Sequence, residues 1–151
     1  MAELKERLRA DLNAAMRARD QVRMRTLRMA LTSITNEEVA GTSARDLTDD
    51  EVLKVLTREA RKRREAAEAF SAAGRSDQAA AERAEGDVLA GYLPAQLSDD
   101  ELAALVDRAI AETGASGMAA MGQVMKTVTP RVAGRADGAR VAAEVRRRLS
   151  A

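Results

Sequence analysis

Apolar residues recur every three or four positions along most of this 151-residue chain, and polar residues fill the positions between them. This spacing places the apolar side chains on one face of an α-helix. Leu4, Leu8 and Leu12 begin the first such stripe. The pattern predicts an all-α fold with seven helices, over approximately residues 3–18, 24–41, 49–74, 76–92, 98–114, 118–130 and 137–149.

Capping residues mark several of these helix ends. Thr48–Glu51 and Ser98–Glu101 each form a capping box, in which a hydroxyl and a carboxylate accept hydrogen bonds from free backbone amides. Ser76 and Asp137 are the predicted N-caps of the fourth and seventh helices. Gly41 is the predicted end of the second helix, because glycine accepts the left-handed conformation found there.

The two prolines mark further boundaries. Pro94 lacks the amide that would continue a helix, and it directly precedes the second capping box. We therefore expect two domains, a four-helix N-terminal unit over residues 1–93 and a three-helix C-terminal unit over residues 94–151. Pro130 and Gly134 are predicted to end the sixth helix.

Two missing residue types restrict the chemistry. The chain has no Cys and no His, which removes thiol nucleophiles, the usual general base near neutral pH, and nearly every zinc or haem site. The acidic runs Asp49–Glu51 and Asp99–Glu101 lie in predicted first helical turns, where carboxylates stabilise the amide end. We therefore predict no catalytic residue, no metal site and no cofactor.

The chain also lacks membrane and export signals. No apolar run approaches the roughly 20 residues that span a bilayer, and the start MAELKERLRADL is too charged for a signal peptide. The absence of Cys fits a cytoplasmic setting. We expect a soluble, cytoplasmic protein without a membrane partner, and the pattern leaves its oligomeric state open.

Charge is segregated along the chain although the net charge is only +1. Residues 12–36 carry five arginines and one acid, residues 76–115 carry nine acids and two arginines, and residues 126–151 carry seven basic residues and two acids. Such segregation can create a polyanion-binding face, can let the segments attract one another within the fold, or can reflect solvated helix faces.

The basic residues of the C-terminal unit are the predicted nucleic-acid contacts, because Lys and Arg supply most of the sequence-independent affinity for phosphate backbones. They are Lys126, Arg131, Arg135, Arg140, Arg146 and Arg147. With one Phe, one Tyr and no Trp, the chain has few platforms for stacking bases. Recognition of a folded RNA by its shape and backbone is therefore favoured over reading of single strands.

Two arginines of the N-terminal unit are candidates for a buried charge or a partner contact. Arg63 falls on the apolar stripe of the third helix, so it must pair with a carboxylate, extend to solvent or face a ligand. Arg28 flanks the second stripe, where a solvated rim is the alternative. Met118, Met121 and Met125 follow helical spacing and are predicted core residues.

Several separated motifs resemble the GatB/YqeY family. They are Tyr92-Leu93-Pro94-x-Gln96-Leu97-Ser98-x-x-Glu101-Leu102, Met121-Gly122-x-Val124-Met125 and Gly134-Arg135-Ala136-Asp137-Gly138, with Thr26-Leu27-Arg28-Met29, Arg63, Phe70 and Gly74-Arg75 in the N-terminal half. The resemblance covers nearly the whole chain in order. The C-terminal unit is similar to the tail of the B subunit of aspartyl/glutamyl-tRNA amidotransferase.

The resemblance implies a stand-alone bacterial protein whose C-terminal three-helix unit is of the GatB/YqeY type. In the amidotransferase the tail contacts tRNA while the chemistry resides elsewhere, so the resemblance implies a non-catalytic protein that binds tRNA or an aminoacyl-tRNA-handling enzyme. One alternative is an accessory glutamine-dependent aminoacyl-tRNA amidotransferase, a carbon-nitrogen ligase with glutamine as amido-N-donor. The other is a protein-interaction adaptor that uses the N-terminal helices.

Overall fold

A computed structural model describes residues 2–151 of the chain, and within them the backbone forms helices and no strand. The predicted all-α fold is thereby confirmed. The helices are α1 (Glu3–Ala18), α2 (Gln21–Glu38), α3 (Asp49–Ala72), α4 (Ser76–Ala90), α5 (Asp99–Thr113), α6 (Met121–Val132) and α7 (Gly138–Leu149), and a 3-10 turn, Met118–Ala120, precedes α6.

The chain divides into two compact units, Met1–Leu93 and Pro94–Ala151. The first contains α1 to α4, and the second contains α5 to α7. Each unit has its own apolar core. The largest fully buried apolar side chains of the first unit are Leu8, Leu27, Ile34, Val52, Val55, Leu56 and Leu89. Those of the second are Val106, Val124, Val128 and Val145.

The predicted capping boxes are present at both α3 and α5. The Thr48 hydroxyl accepts from the Glu51 amide at 3.2 Å, and the Glu51 carboxylate accepts from the Thr48 amide at 3.2 Å. The corresponding distances between Ser98 and Glu101 are 3.1 and 3.0 Å. Because these bonds join residues only three positions apart, the sequence alone identifies them.

The end of α2 differs from the prediction. Val39, and not Gly41, follows the last helical residue, and Gly41 has no positive φ. The carbonyl of Glu38 accepts a hydrogen bond from the Arg45 amide at 3.0 Å, so the loop that follows satisfies the helix end. A glycine cap is therefore not needed at this position.

The start of α4 also differs from the prediction. Ser76 is the first helical residue, and Arg75 occupies the N-cap position without a side-chain hydrogen bond. The reason is the tight connection from α3. Gly74, with φ of 76°, ends α3, and the Arg75 amide donates to the Phe70 carbonyl at 2.8 Å. The same turn that ends α3 therefore sets the start of α4.

Two predictions at α6 are wrong. Pro130 lies inside the helix, which continues to Val132 and ends at Ala133 with φ of 49°. The proline removes one hydrogen bond close to the helix end, and burial of the Val132 side chain keeps the last turn in place. Met118 belongs to the 3-10 turn and is 46% exposed, so it is not a core residue. Met121 and Met125 do pack against the core of the second unit, as predicted.

Candidate nucleic-acid interface

The linker before α5 and the loop before α7, both of which carry family motifs, are joined by hydrogen bonds. The Leu97 amide donates to the Arg135 carbonyl at 2.7 Å. The Gln96 side chain donates to the Pro94 carbonyl at 3.0 Å and to the Gly134 carbonyl at 3.4 Å. Leu97 itself is buried in the core of the unit. The two motifs therefore form one hydrogen-bonded joint within the three-helix unit.

Arg135 has a structural role within this joint. Its Nε donates to the Val132 carbonyl at 3.0 Å, and its terminal nitrogen donates to the Arg131 carbonyl at 2.7 Å. These carbonyls belong to the last turn of α6 and have no partner within the helix. A positive side chain at this end also interacts favourably with the helix dipole. The guanidinium thus points back to α6 and caps it.

Asp137 caps α7 from the other side of the same loop. Its side chain accepts a hydrogen bond from the Arg140 amide at 2.9 Å, and its backbone is extended, as an N-cap requires. The predicted cap is therefore confirmed. Ala136 is buried against the core. The Gly134–Asp137 loop consequently fixes both the end of α6 and the direction in which α7 leaves.

Acids of α5 pair with cations of α6 and α7 in three places. Asp99 accepts from Arg140 at 2.9 Å, Asp107 lies 3.3 Å from Arg148, and Glu112 pairs with Arg131. The acidic and basic segments of this unit are therefore adjacent in the fold. Mutual attraction, one of the three interpretations of the charge segregation, applies to these pairs.

Within α7, Glu144 pairs with two arginines. Its carboxylate accepts hydrogen bonds from Arg147 at 2.8 Å and from Arg148 at 3.0 Å. The bonds from Arg147 are the main reason that the pKa of Glu144 lies below its ordinary value, and the same bonds raise the pKa of Arg147. The Arg147 side chain nevertheless remains 62% exposed.

Lys126 and Arg146 differ from the other four predicted contacts. Both are exposed, and neither side chain has an ion-pair or hydrogen-bond partner among residues 2–151. Lys126 follows the buried Val124 by two positions, about 200° around the helix axis, and therefore lies on the side of α6 away from the core. Of the six predicted contacts, two are unpaired, three form ion pairs, and Arg135 caps a helix.

The two candidate arginines of the N-terminal unit have different surroundings. Arg63 is 6% exposed, and its guanidinium lies 2.6 Å from the Glu59 carboxylate and 3.5 Å from that of Glu85. It also contacts the sulfur of Met29. Arg28 is exposed and reaches only the sulfur of Met16, at 3.5 Å.

Burial and hydrogen bonding act in opposite directions on the pKa of Glu59. Burial raises the pKa, whereas hydrogen bonds from Ser33 and Arg63 and the nearby charge of Lys62 lower it. The combined effect places the pKa below its ordinary value. Glu59 is therefore ionised near neutral pH and compensates the buried charge of Arg63.

Sequence reasoning missed a second buried ion pair in this unit. Lys5 is 5% exposed, and its ammonium group lies 2.8 Å from the Glu38 carboxylate. Lys5 precedes Leu8 by three positions and so lies on the apolar stripe of α1. The signal that identifies Arg63, a charge on a buried stripe, would have identified Lys5 as well.

Residues 2–151 contain no group of three or more His, Cys, Asp or Glu side chains that could hold a metal ion. None of the described helices combines the length and the apolar character that a bilayer crossing requires.

Comparison with known proteins confirms the resemblance seen in the motifs. A search of curated proteins finds no match to this chain. The profile of the family described as Yqey-like protein, in contrast, matches residues 5–149. Since that match spans both units almost completely, the chain belongs to the Yqey-like protein family.

Proposed function

We propose that this protein is a non-catalytic tRNA-related binding protein, which contacts tRNA or a tRNA-loaded enzyme through its basic C-terminal unit. The observation that carries the proposal is a set of exposed cations on α6 and α7. Lys126 and Arg146 have no internal partner there, and Arg147 is 62% exposed although it is paired. Cations in such positions attract phosphate backbones.

The ion pairs of this unit do not block such binding. The Asp99 side chain is 98% exposed, and those of Glu112 and Asp107 are 48% and 51% exposed. Exposed pairs of this kind contribute about 0–1 kcal/mol. A phosphate group also accepts hydrogen bonds from arginine through a matching fork geometry, so it can replace these carboxylates.

Two carboxylates of this unit, which could otherwise act in catalysis, have structural roles. Glu101 accepts from the Ser98 amide, and this bond is the main reason that its pKa lies below its ordinary value. Asp137 caps α7. These two side chains therefore contribute to helix starts in the motif-bearing joint. This supports binding over the alternative of an accessory amidotransferase.

An electrophoretic shift assay with unfractionated tRNA tests the proposal. The variant Lys126→Gln/Arg146→Gln/Arg147→Gln removes three exposed charges and no helix cap. We expect its dissociation constant to rise about tenfold or more, and the salt slope to fall by about two to three, at roughly 0.7–0.9 per lost phosphate contact. Unchanged affinity and slope would refute the proposed surface.

A control variant that loses the same number of positive charges distinguishes a local contact with tRNA from a general effect of net charge. Arg45, Arg58 and Arg61 are paired arginines of the N-terminal unit. Their simultaneous replacement by Gln should change tRNA affinity little. Release of ammonia from glutamine, or amidation of charged tRNA by the purified protein, would instead support the amidotransferase alternative.

A further inference from the structure

A second exposed group of cations lies in the N-terminal unit, around the turn that joins α1 to α2. We define it as the hairpin patch, formed by Arg17, Arg19 and Arg28. All three side chains are exposed. None of them has an acidic partner among residues 2–151, and only Arg28 has a side-chain contact, with the sulfur of Met16.

The acids near the hairpin patch have other partners. Asp20, the only acid between residues 12 and 36, accepts from the Arg23 amide at 3.1 Å and caps α2. Asp11 accepts from the Tyr92 hydroxyl at 2.5 Å. Glu85, from α4, pairs with Arg25 at 2.8 Å. The positive charge of the patch is therefore not offset by direct ion pairs, in contrast to that of Arg131, Arg140, Arg147 and Arg148 in the C-terminal unit.

The backbone holds the patch in a defined position. Arg19 has φ of 58°, a left-handed conformation that disfavours side chains other than those of Gly, Asn and Asp. Its amide donates to the Met16 carbonyl at 3.2 Å and so ends α1. Arg28 lies on the exposed side of α2, beside an open groove of about 520 Å³. The three arginines thus lie on the tight turn and on the exposed sides of the two helices that it joins.

We propose that the hairpin patch is a second binding surface for the phosphate backbone of nucleic acid. All its cations are arginines, whose planar fork binds phosphate oxygens in pairs. Insertion into a membrane, or the apolar centre of a protein interface, would require large exposed apolar residues. Among residues 2–151 those are Met16, Val39 and Met118, and only Met16 adjoins the patch. Affinity at this surface therefore comes from charge, as in sequence-independent contacts with nucleic acid.

This surface is independent of the one proposed for the C-terminal unit, because it uses different residues in a different unit. The experiment uses the full chain and unfractionated tRNA. The variant Arg17→Gln/Arg19→Gln/Arg28→Gln is compared with the paired control Arg45→Gln/Arg58→Gln/Arg61→Gln. Circular dichroism monitors the helix content of both variants.

We expect the hairpin variant to bind tRNA about tenfold or more weakly, with a salt slope lower by about two to three, while the control stays close to the wild type. Lysine at the same three positions keeps the charge and should restore most of the affinity. The inference would be overturned if the glutamine variant kept the wild-type salt slope of tRNA binding. It would also be overturned if the glutamine variant and the control lost equal tRNA affinity.

Two further outcomes separate this inference from the proposed function. A loss of tRNA affinity confined to the Lys126→Gln/Arg146→Gln/Arg147→Gln variant would rule out the hairpin patch and support the C-terminal surface. A loss of affinity confined to the hairpin variant would rule out the C-terminal surface and support the hairpin patch. Binding to phosphatidylserine vesicles that depends on these three arginines, with tRNA binding unchanged, would assign the patch to a membrane and also overturn the inference.

Discussion

The two units of this protein place their charges differently. The N-terminal unit buries two ion pairs, Lys5 with Glu38 and Arg63 with Glu59, in which the acidic side chains are 12% and 7% exposed. The C-terminal unit keeps its interhelix pairs at the surface. In the pair of Arg140 with Asp99, the acidic side chain is 98% exposed. Both cores consist mainly of Leu, Val and Ala, and the core of the N-terminal unit also contains Ile34 and Tyr92.

The difference in burial determines what each set of charges can do. A buried pair cannot exchange its partner without leaving an unpaired charge in an apolar environment, so it is tied to the folded state. An exposed pair contributes little to stability and can exchange a carboxylate for a phosphate. The buried cations therefore serve the fold, and the exposed cations of the C-terminal unit and of the hairpin patch are the ones that we propose for a ligand.

The largest expected effect comes from breaking a buried pair. Glu59→Leu leaves the Arg63 guanidinium buried with only Glu85 nearby, and should lower the free energy of unfolding by about 3 kcal/mol or more. The double variant Glu59→Leu/Arg63→Met should recover most of that loss. Urea denaturation of the wild type, Glu59→Leu, Arg63→Met and the double variant measures the coupling free energy between the two side chains. Additive effects of the two substitutions would contradict a structural role for the pair.

The pair of Glu59 and Arg63 should also make the stability of the protein depend on pH, with a loss of stability in acid. Because the folded-state pKa of Glu59 is lowered, its contribution is present above the unfolded pKa of about 4.3 and is lost as the pH falls through the folded value. The free energy of unfolding of the wild type should therefore decrease more steeply, as the pH is lowered, than that of the double variant. Parallel curves for the two proteins below about pH 4 would argue against this role.

A smaller effect is expected at Tyr92, the only tyrosine of the chain. Burial and its hydrogen bond to Asp11 raise the pKa of the hydroxyl to about 12. The protonated Tyr92 hydroxyl contributes to stability below the pKa of tyrosine in the unfolded chain, about 10. This contribution is lost as the pH rises through the pKa in the folded protein. Phenolate absorbance measures this titration without overlap, since the chain has no Trp. A midpoint near 10 in the folded protein would contradict the buried contact.

The next effect concerns the joint of the C-terminal unit. Arg135→Ala removes two hydrogen bonds to the last turn of α6, and Asp137→Ala removes the cap of α7. Each should lower stability by about 1 kcal/mol. If Arg135 only caps α6, then Arg135→Ala should leave the salt slope of tRNA binding unchanged at temperatures where the protein is folded. A fall of the slope by about one would show instead that Arg135 contacts phosphate.

The smallest effect is expected at Thr26. Its hydroxyl is fully buried, and no hydrogen-bond partner for it occurs among residues 2–151. Valine has nearly the same shape without the polar atom, so Thr26→Val should be neutral or stabilising by up to about 1 kcal/mol. A loss of more than about 1 kcal/mol in urea denaturation would indicate that the hydroxyl does have a partner.

The sequence could predict those features that depend on nearby residues. The helix stripes and the capping boxes at Thr48 and Ser98 were predictable, because helix periodicity and cap bonds connect positions a few residues apart. The family was predictable for a different reason, since its motifs occur in order along the chain. The end of α2 was not predictable, because the Arg45 amide reaches the Glu38 carbonyl across a loop.

In the candidate site, too, contacts between residues far apart in sequence could not be predicted. An arginine in a Gly-rich loop suggests a ligand contact, yet the left-handed backbone at Gly134 and the fold of the loop direct Arg135 to the carbonyls of α6. The partners of Arg131 and Arg140 lie on α5, at least 19 positions away. Sequence reasoning could show that opposite charges are segregated, but only the packing of the helices shows which of them pair.

The most direct test of the central claim is to remove the acids that pair with the exposed cations and measure tRNA affinity. In Asp99→Asn/Asp107→Asn/Glu112→Gln, three arginines of the C-terminal unit lose their interhelix carboxylates. The matched control is Glu6→Gln/Glu37→Gln/Glu65→Gln, which removes one carboxylate partner from each of three arginines of the N-terminal unit. The first variant should bind tRNA about tenfold more tightly than the wild type at about 100 mM salt, and the control should change much less. Equal affinities of the first variant and the wild type, or an equal gain in the control, would contradict the claim that the exposed cations of the C-terminal unit are available to phosphate.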